Sequence, residues 1–383
     1  MSRRIIVAGA IANKRGSGGE AWVRMSWVRG FQRLGFDVEL VEEIASSACV
    51  DDTGAPVAAE ESANRRYFDR VGELFDLNGR ATLVIDGERT IGHPFDDLAD
   101  RMREADLLVN ISGHLRNATL FGAAQQTALV DIDPGFTQIW DHDGTAPIEA
   151  HDRYFTIGEN IGRPDCPIPT GGLRWLTTRQ PVVLDDWSPR DDDAFERFTT
   201  IANWRGPYGA LTLDGRTLGL KVHEFRKVIE LPLSVPASFE LALNIHPADG
   251  RDRSALLDNG WRLVDPIACC SDPSAFREYV RSSSAEFTVA QGVYVDTNSG
   301  WFSDRSVRYL AAGLPVLVQE TGFSRHLPSG RGIVSFTTPD EAVAGARSIV
   351  EHYADHRRAA RSIAEEHFDS DRVLTRFLEL AGE

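Results

Sequence analysis

Lysine is nearly missing from this 383-residue sequence: Lys14, Lys221 and Lys227 stand against a large complement of arginine. A GC-rich genome produces that bias without a functional cause, and no function is read from it. The formal net charge of −16 is the opposite of what a phosphate backbone attracts, so no nucleic-acid partner is expected. Cysteine is scarce as well. Cys49, Cys166, Cys269 and Cys270 have neither zinc-ligand spacing nor the pattern of a disulfide framework. No apolar run approaches the roughly 20 residues of a membrane helix. The one after Arg4 breaks at Asn13-Lys14-Arg15-Gly16, too early for a signal peptide. The expectation is a reduced, cytoplasmic protein without a membrane span.

Several familiar signatures are missing too. Ala8-Gly9-Ala10-Ile11-Ala12 is not G-x-G-x-x-G, and no G-x-x-x-x-G-K-[ST] loop occurs, which argues against NAD and ATP enzymes of those two types. His352-Tyr353-Ala354-Asp355-His356 lacks the glutamate of H-E-x-x-H and reads as a solvated helix face. Asp131-Ile132-Asp133 has the spacing of a metal-holding carboxylate pair. It reads better as a strand end entering the turn Asp133-Pro134-Gly135, and no metal site is expected.

What is present is ordinary globular composition, 42% hydrophobic and 26% charged, in a chain long enough for two cores. Short apolar segments alternate with amphipathic ones, the pattern of parallel sheets covered by helices. The pattern predicts strands at 4–8, 37–41, 81–85, 107–111, 128–132 and 154–157, with helices over 20–34, 63–75 and 95–104. Gly162 to Gly172 packs three prolines and three glycines into eleven residues, which suits a linker. A second set of strands follows at 198–202, 239–244, 262–264, 286–289, 316–319 and 332–336. Asp272-Pro273 and Thr338-Pro339-Asp340-Glu341 are helix starts. The resulting division is a first domain over 1–165, a linker over 166–180, a second domain over 181–365 and a final helix over 366–383. Two doubly wound α/β domains side by side leave a cleft at the carboxyl ends of their strands, where such sheets bind ligands.

The most informative stretch runs from Val293 to Val318. A polar loop with Asn298, Ser299 and Gly300 precedes a helix with Ser303 at its N-cap. Free N–H groups and the dipole make a helix start an anion site. Arg305, a cation in a turn that prefers acids, points to an anionic ligand such as a diphosphate, unless it pairs with Asp304 or another surface acid. The loop, the helix and Ala311-Ala312-Gly313-Leu314-Pro315-Val316 together resemble the donor-binding segment of GT-B glycosyltransferases, roughly E-A-x-A-x-G-x-P-V. The resemblance implies two Rossmann-like domains facing a cleft, the acceptor on the first, a nucleotide sugar on the second, and a final helix returning to the first domain. Many retaining members carry two glutamates eight apart before the Ala-x-Gly. Gly300 and Arg308 hold those places here, which leaves stereochemistry and donor identity open, with Asp304 or Asp296 as substitute acids for the ribose.

The same resemblance implies further donor-binding candidates. They are Asn203 and Arg205 after the first strand of the second domain, Lys221, and His246 at a strand's carboxyl end, which serves equally well as a cap. Asn298, Ser303, Asp304 and Arg305 complete the set, and Gly18 and Gly19 add backbone N–H groups near the donor unless their role is turn geometry. For the chemistry, His114 and Asp133 each follow a first-domain strand and are the candidate bases. The reading is a metal-independent hexosyltransferase-like enzyme. It moves sugar from a nucleotide diphosphate sugar to a small-molecule acceptor, needs no cofactor beyond that substrate, and leaves room for a homodimer. Two rivals stand beside it: a nucleotide-sugar epimerase of the same fold, and a non-catalytic nucleotide- or sugar-binding protein.

Overall fold

A computed structural model of the chain describes residues 3–189, 194–206 and 208–382. The first sheet contains β1 (Arg4–Ala8), β2 (Asp37–Ile44), β3 (Ala81–Ile85), β4 (Arg89–Ile91), β5 (Leu107–Ile111), β6 (Thr127–Asp131), β7 (Arg153–Thr156) and β8 (Trp175–Thr177). Their order across the sheet is β4-β3-β2-β1-β5-β6-β7-β8. Every pairing is parallel except β3 with β4. Ile5 to Ala8 and Leu107 to Val109 are wholly buried, because helices cover both faces of a parallel sheet and leave no polar side.

The second sheet is all parallel, in the order β13-β12-β9-β14-β15-β16. Its strands are β9 (Arg197–Asn203), β12 (Ser238–Asn244), β13 (Trp261–Val264), β14 (Ala285–Thr288), β15 (Val316–Gln319) and β16 (Ile333–Phe336). Between β9 and β12 lies a small antiparallel hairpin, β10 (Leu211–Leu213) with β11 (Arg216–Leu218). Asp272 caps the helix Pro273–Arg281 by accepting from the N–H groups of Ser274 and Ala275, both at 2.9 Å. Thr338 and Glu341 form the capping box before Pro339–Glu351.

One expectation needs correcting. The segment 166–180 does not run free as a linker, because Trp175–Thr177 pairs parallel with β7 as the outer strand of the first sheet. The prolines and glycines before it only turn the chain toward that edge.

The two domains meet along the helix Gly18–Arg33. Trp22 donates its indole N–H to Pro273 O at 2.8 Å, and Gly18 and Gly19 lie directly against Asp272 and Phe276. A second seam is built on the fully buried Asn160, whose N–H reaches Ser299 O at 3.1 Å and whose amide donates to Asn298 O at 2.9 Å. The last helix, Ser370–Ala381, packs on the first domain. Leu374 fills the space a side chain at Gly30 would need, and Phe377 sits among Trp27, Phe31 and Phe155.

Candidate functional site

The larger cavity, about 670 Å³, opens where β9, β12 and β13 end and is closed on its far side by the first turn of Gly18–Arg33. Gly19, Asn203, Lys221, Asp304 and Arg305 all line it. Arg305 is already engaged. Its Nε donates to the fully buried Glu286 at 2.6 Å, one Nη donates to Ile201 O at 2.6 Å, and the other bonds Thr288. Lys221 is left open: its ammonium has no partner among the described residues. Burial, with Arg305 close by, pushes its pKa down to about 7. An arriving anion would reverse that pressure.

The smaller cavity, about 270 Å³, sits over the ends of β5 and β6 and brings together His114 and Asp133. Burial, then Arg24 and Lys14, pushes the His114 imidazole down to about 3, far below the useful range expected of it. Asp133 moves the other way. Burial, with Glu20 and Asp131 as acidic neighbours, lifts its carboxyl to about 6, while Tyr294 donates a hydrogen bond to Oδ1 at 3.1 Å. Asp131 is saturated by Thr137, Gln138, Thr156 and the N–H of Asp133, at 2.6 to 3.1 Å. That makes it the support of the β6 turn, and no group of three or more His, Cys, Asp or Glu suited to a metal occurs among the described residues.

Glu20 belongs to the walls of both cavities. Although burial opposes it, Arg24 and Lys14 hold its carboxyl below the ordinary range. In the sequence Glu20 is only an acid in a first helical turn. Its place at the junction comes from two loops and a second domain meeting it.

No protein-family model and no curated protein matches this sequence. Solved structures do. AviGT4, a glycosyltransferase involved in Avilamycin A biosynthesis, is 14% identical with a TM-score of 0.56, over 99% of this chain and 97% of that one. HepE of Anabaena, in complex with UDP-glucose, is 10% identical with a TM-score of 0.58, over 99% of both chains. A sucrose-phosphate synthase of Thermosynechococcus elongatus is 11% identical with a TM-score of 0.57, over 99% of this chain and 98% of that one. The chain has the GT-B fold.

Five of the residues selected from the GT-B resemblance lie outside both cavities. Gly18 is buried against Asp272 O and Phe276, so its missing side chain serves domain contact. Arg205 is exposed and turned onto Asp249, with its Nε 2.9 Å from Oδ2. His246 caps the next turn, its Nδ1 accepting from the N–H of Ala248 at 3.1 Å. Asn298 donates to Asp165 at 3.2 Å in the second seam. Ser303 stands at the N-cap of Asp304–Ala311 but is buried and makes no side-chain cap bond.

The GT-B glutamate positions have other work here. Gly300 has φ +77, and a Cβ there would come within 2.8 Å of Asn160 N, so the seam occupies that place. Arg308 is fully buried, bonded to Asp304 and reaching Ser26 Oγ at 3.4 Å. Asp296 is exposed outside the cavities, so of the two substitute acids only Asp304 stands on the larger cavity's wall.

Proposed function

We propose that this chain is a glycosyltransferase that holds a nucleotide diphosphate sugar in the larger cavity and a small hydroxyl- or amine-bearing acceptor in the smaller one. The observation that carries the reading is the pairing of two cavities across Glu20, one offering the open cation Lys221 and the other the raised carboxyl of Asp133. In the reaction the bond from the sugar's anomeric carbon to the diphosphate oxygen breaks, and its electron pair leaves with the diphosphate. The acceptor oxygen or nitrogen bonds the same carbon, and its proton passes to Asp133, the base of an inverting route.

Lys221, the fixed guanidinium of Arg305 and the first N–H groups of Asp304–Ala311 would meet the growing negative charge. These groups supply charge relief without a divalent ion. Asp133 is the better base of the two candidates, since a carboxyl near 6 is ionised at neutral pH yet retains basicity. His114 then serves as a neutral contact to the acceptor.

The test is to incubate the full chain with a panel of UDP-, TDP- and GDP-sugars, with and without mixed acceptors and a chelator. Acceptor-dependent release of nucleoside diphosphate that survives chelation supports the reading. An isomerised sugar from donor alone would replace it with epimerisation, and binding without turnover would replace it with a binding protein.

A further inference from the structure

The smaller cavity contains more unsatisfied cationic and polar groups than the transfer chemistry uses. Arg24 is 1% exposed, and although one Nη reaches Glu20, its Nε has no hydrogen-bond partner. The Lys14 ammonium has no partner among the described residues, and the Arg116 guanidinium makes only a 3.4 Å contact to Gly113 O. Ser112 adds a buried hydroxyl without a partner. It stands at φ +57, a left-handed conformation that non-glycine residues seldom adopt and that collects at binding sites. These groups lie around His114, whose charged neighbours are Arg24, Lys14, Glu20 and Arg116, while Asp133 has Arg24 beside it as well as Glu20 and Asp131.

The remaining wall is aromatic. Trp140 and Tyr208 meet edge to face with ring centroids 4.7 Å apart, Phe136 lies behind both, and Tyr208 is 46% exposed. At about 270 Å³ the space lies just under the roughly 300 Å³ at which drug-sized sites begin, enough for one ring and its substituents.

We propose that this cavity recognises a ring-bearing carboxylic acid, its carboxylate held by Arg24, Lys14, Arg116 and Ser112 and its ring against Trp140 and Tyr208. A carboxylate suits it better than a phosphate dianion, because Glu20 and Glu149 already supply negative charge to the same walls. The inference rests on the reading of this cavity as the acceptor side, with the nucleophilic group of the acid directed at Asp133.

The test is calorimetric titration of the full chain with 4-hydroxybenzoate, phenol and phenyl phosphate, with UDP titrated separately. The expected result is that 4-hydroxybenzoate binds at least tenfold more tightly than phenol and more tightly than phenyl phosphate. Lys14→Met and Arg116→Met, at surface-accessible positions, should each weaken it about ten- to a hundredfold, in line with a charged hydrogen bond, and leave UDP affinity unchanged. Equal binding of phenol, tighter binding of phenyl phosphate, indifference to both substitutions or no 4-hydroxybenzoate binding would overturn the assignment. Failure of UDP alone to bind would instead count against the nucleotide-sugar reading, so the two failures separate.

Discussion

Tyr294 donates its hydroxyl to Asp133 Oδ1 at 3.1 Å, a bond between residues 161 positions apart that ties the second domain to the carboxyl at the end of β6. The bond favours the ionised acid and works against the burial that raises it. Removing it has a readable direction. Tyr294→Phe should move the acid limb of the kcat/KM profile from near pH 6 to higher pH, since Asp133 would hold its proton longer. Asp133→Asn should lower turnover by about 10²- to 10⁴-fold, the usual span for a lost general base, with nucleotide affinity intact. A pH profile that ignores Tyr294 would remove Asp133 from the base role.

Lys221 gives a second pH signature. Its ammonium, pushed down to about 7 by burial and Arg305, is fully charged only below that value. A bound diphosphate would restore the proton, so affinity for a nucleoside diphosphate should tighten as pH falls from 8 to 6. Lys221→Met should weaken binding by about 1.5–3 kcal/mol and flatten that dependence. Titrations of UDP at three pH values check both.

Arg305 is tied first to stability. Removing it strands Glu286, a carboxylate with no exposed surface, and loss of one partner of a buried pair typically costs about 3–5 kcal/mol. Arg305→Ala should therefore lower the urea midpoint sharply, and Arg305→Ala with Glu286→Gln should recover most of the loss. If Arg305→Ala weakened nucleotide binding at unchanged stability, the pairing with Glu286 would count for little.

Glu42 holds the loop that carries Lys14. Its carboxylate accepts from the N–H groups of Ile11, Ala12 and Asn13 at 2.7, 2.6 and 2.8 Å, and burial pushes its pKa up to about 7. A carboxyl raised in the folded state binds its proton more tightly there than in the unfolded chain. Its stabilising effect is complete below the ordinary value of 4.5 and is lost as pH rises through about 7. Glu42→Gln should remove that dependence and cost about 1–3 kcal/mol, because the amide would turn a donor toward one of three N–H groups. Thermal melts at pH 5 and pH 8 measure both effects.

Much of the fold is legible in the residues themselves. β1, β3, β5 and β15 each hold at least three apolar residues in a row, and Asp272 and Thr338 announce the helices they cap. β4, β8, β10 and β11 escape notice, since three residues of mixed polarity carry no period, and β8 follows a proline-rich turn that reads as linker. In the site, Lys221 and Asp133 can be picked out by rarity and by position after a strand. Glu20, Ser112 and the Trp140–Tyr208 wall cannot, because each acquires its surroundings only when distant segments meet. Arg305 reads as a ligand for an anion because its actual partner, Glu286, lies 19 residues upstream on another element.

The helix Ser370–Ala381 has a consequence for how the chain is made. Leu374 and Phe377 cover Gly30, Trp27 and Phe31, so the domain that leaves the ribosome first keeps an uncovered apolar face until residue 381 has emerged. Throughout synthesis of the second domain that face is open to misassociation. The first domain to be started is the last to be finished.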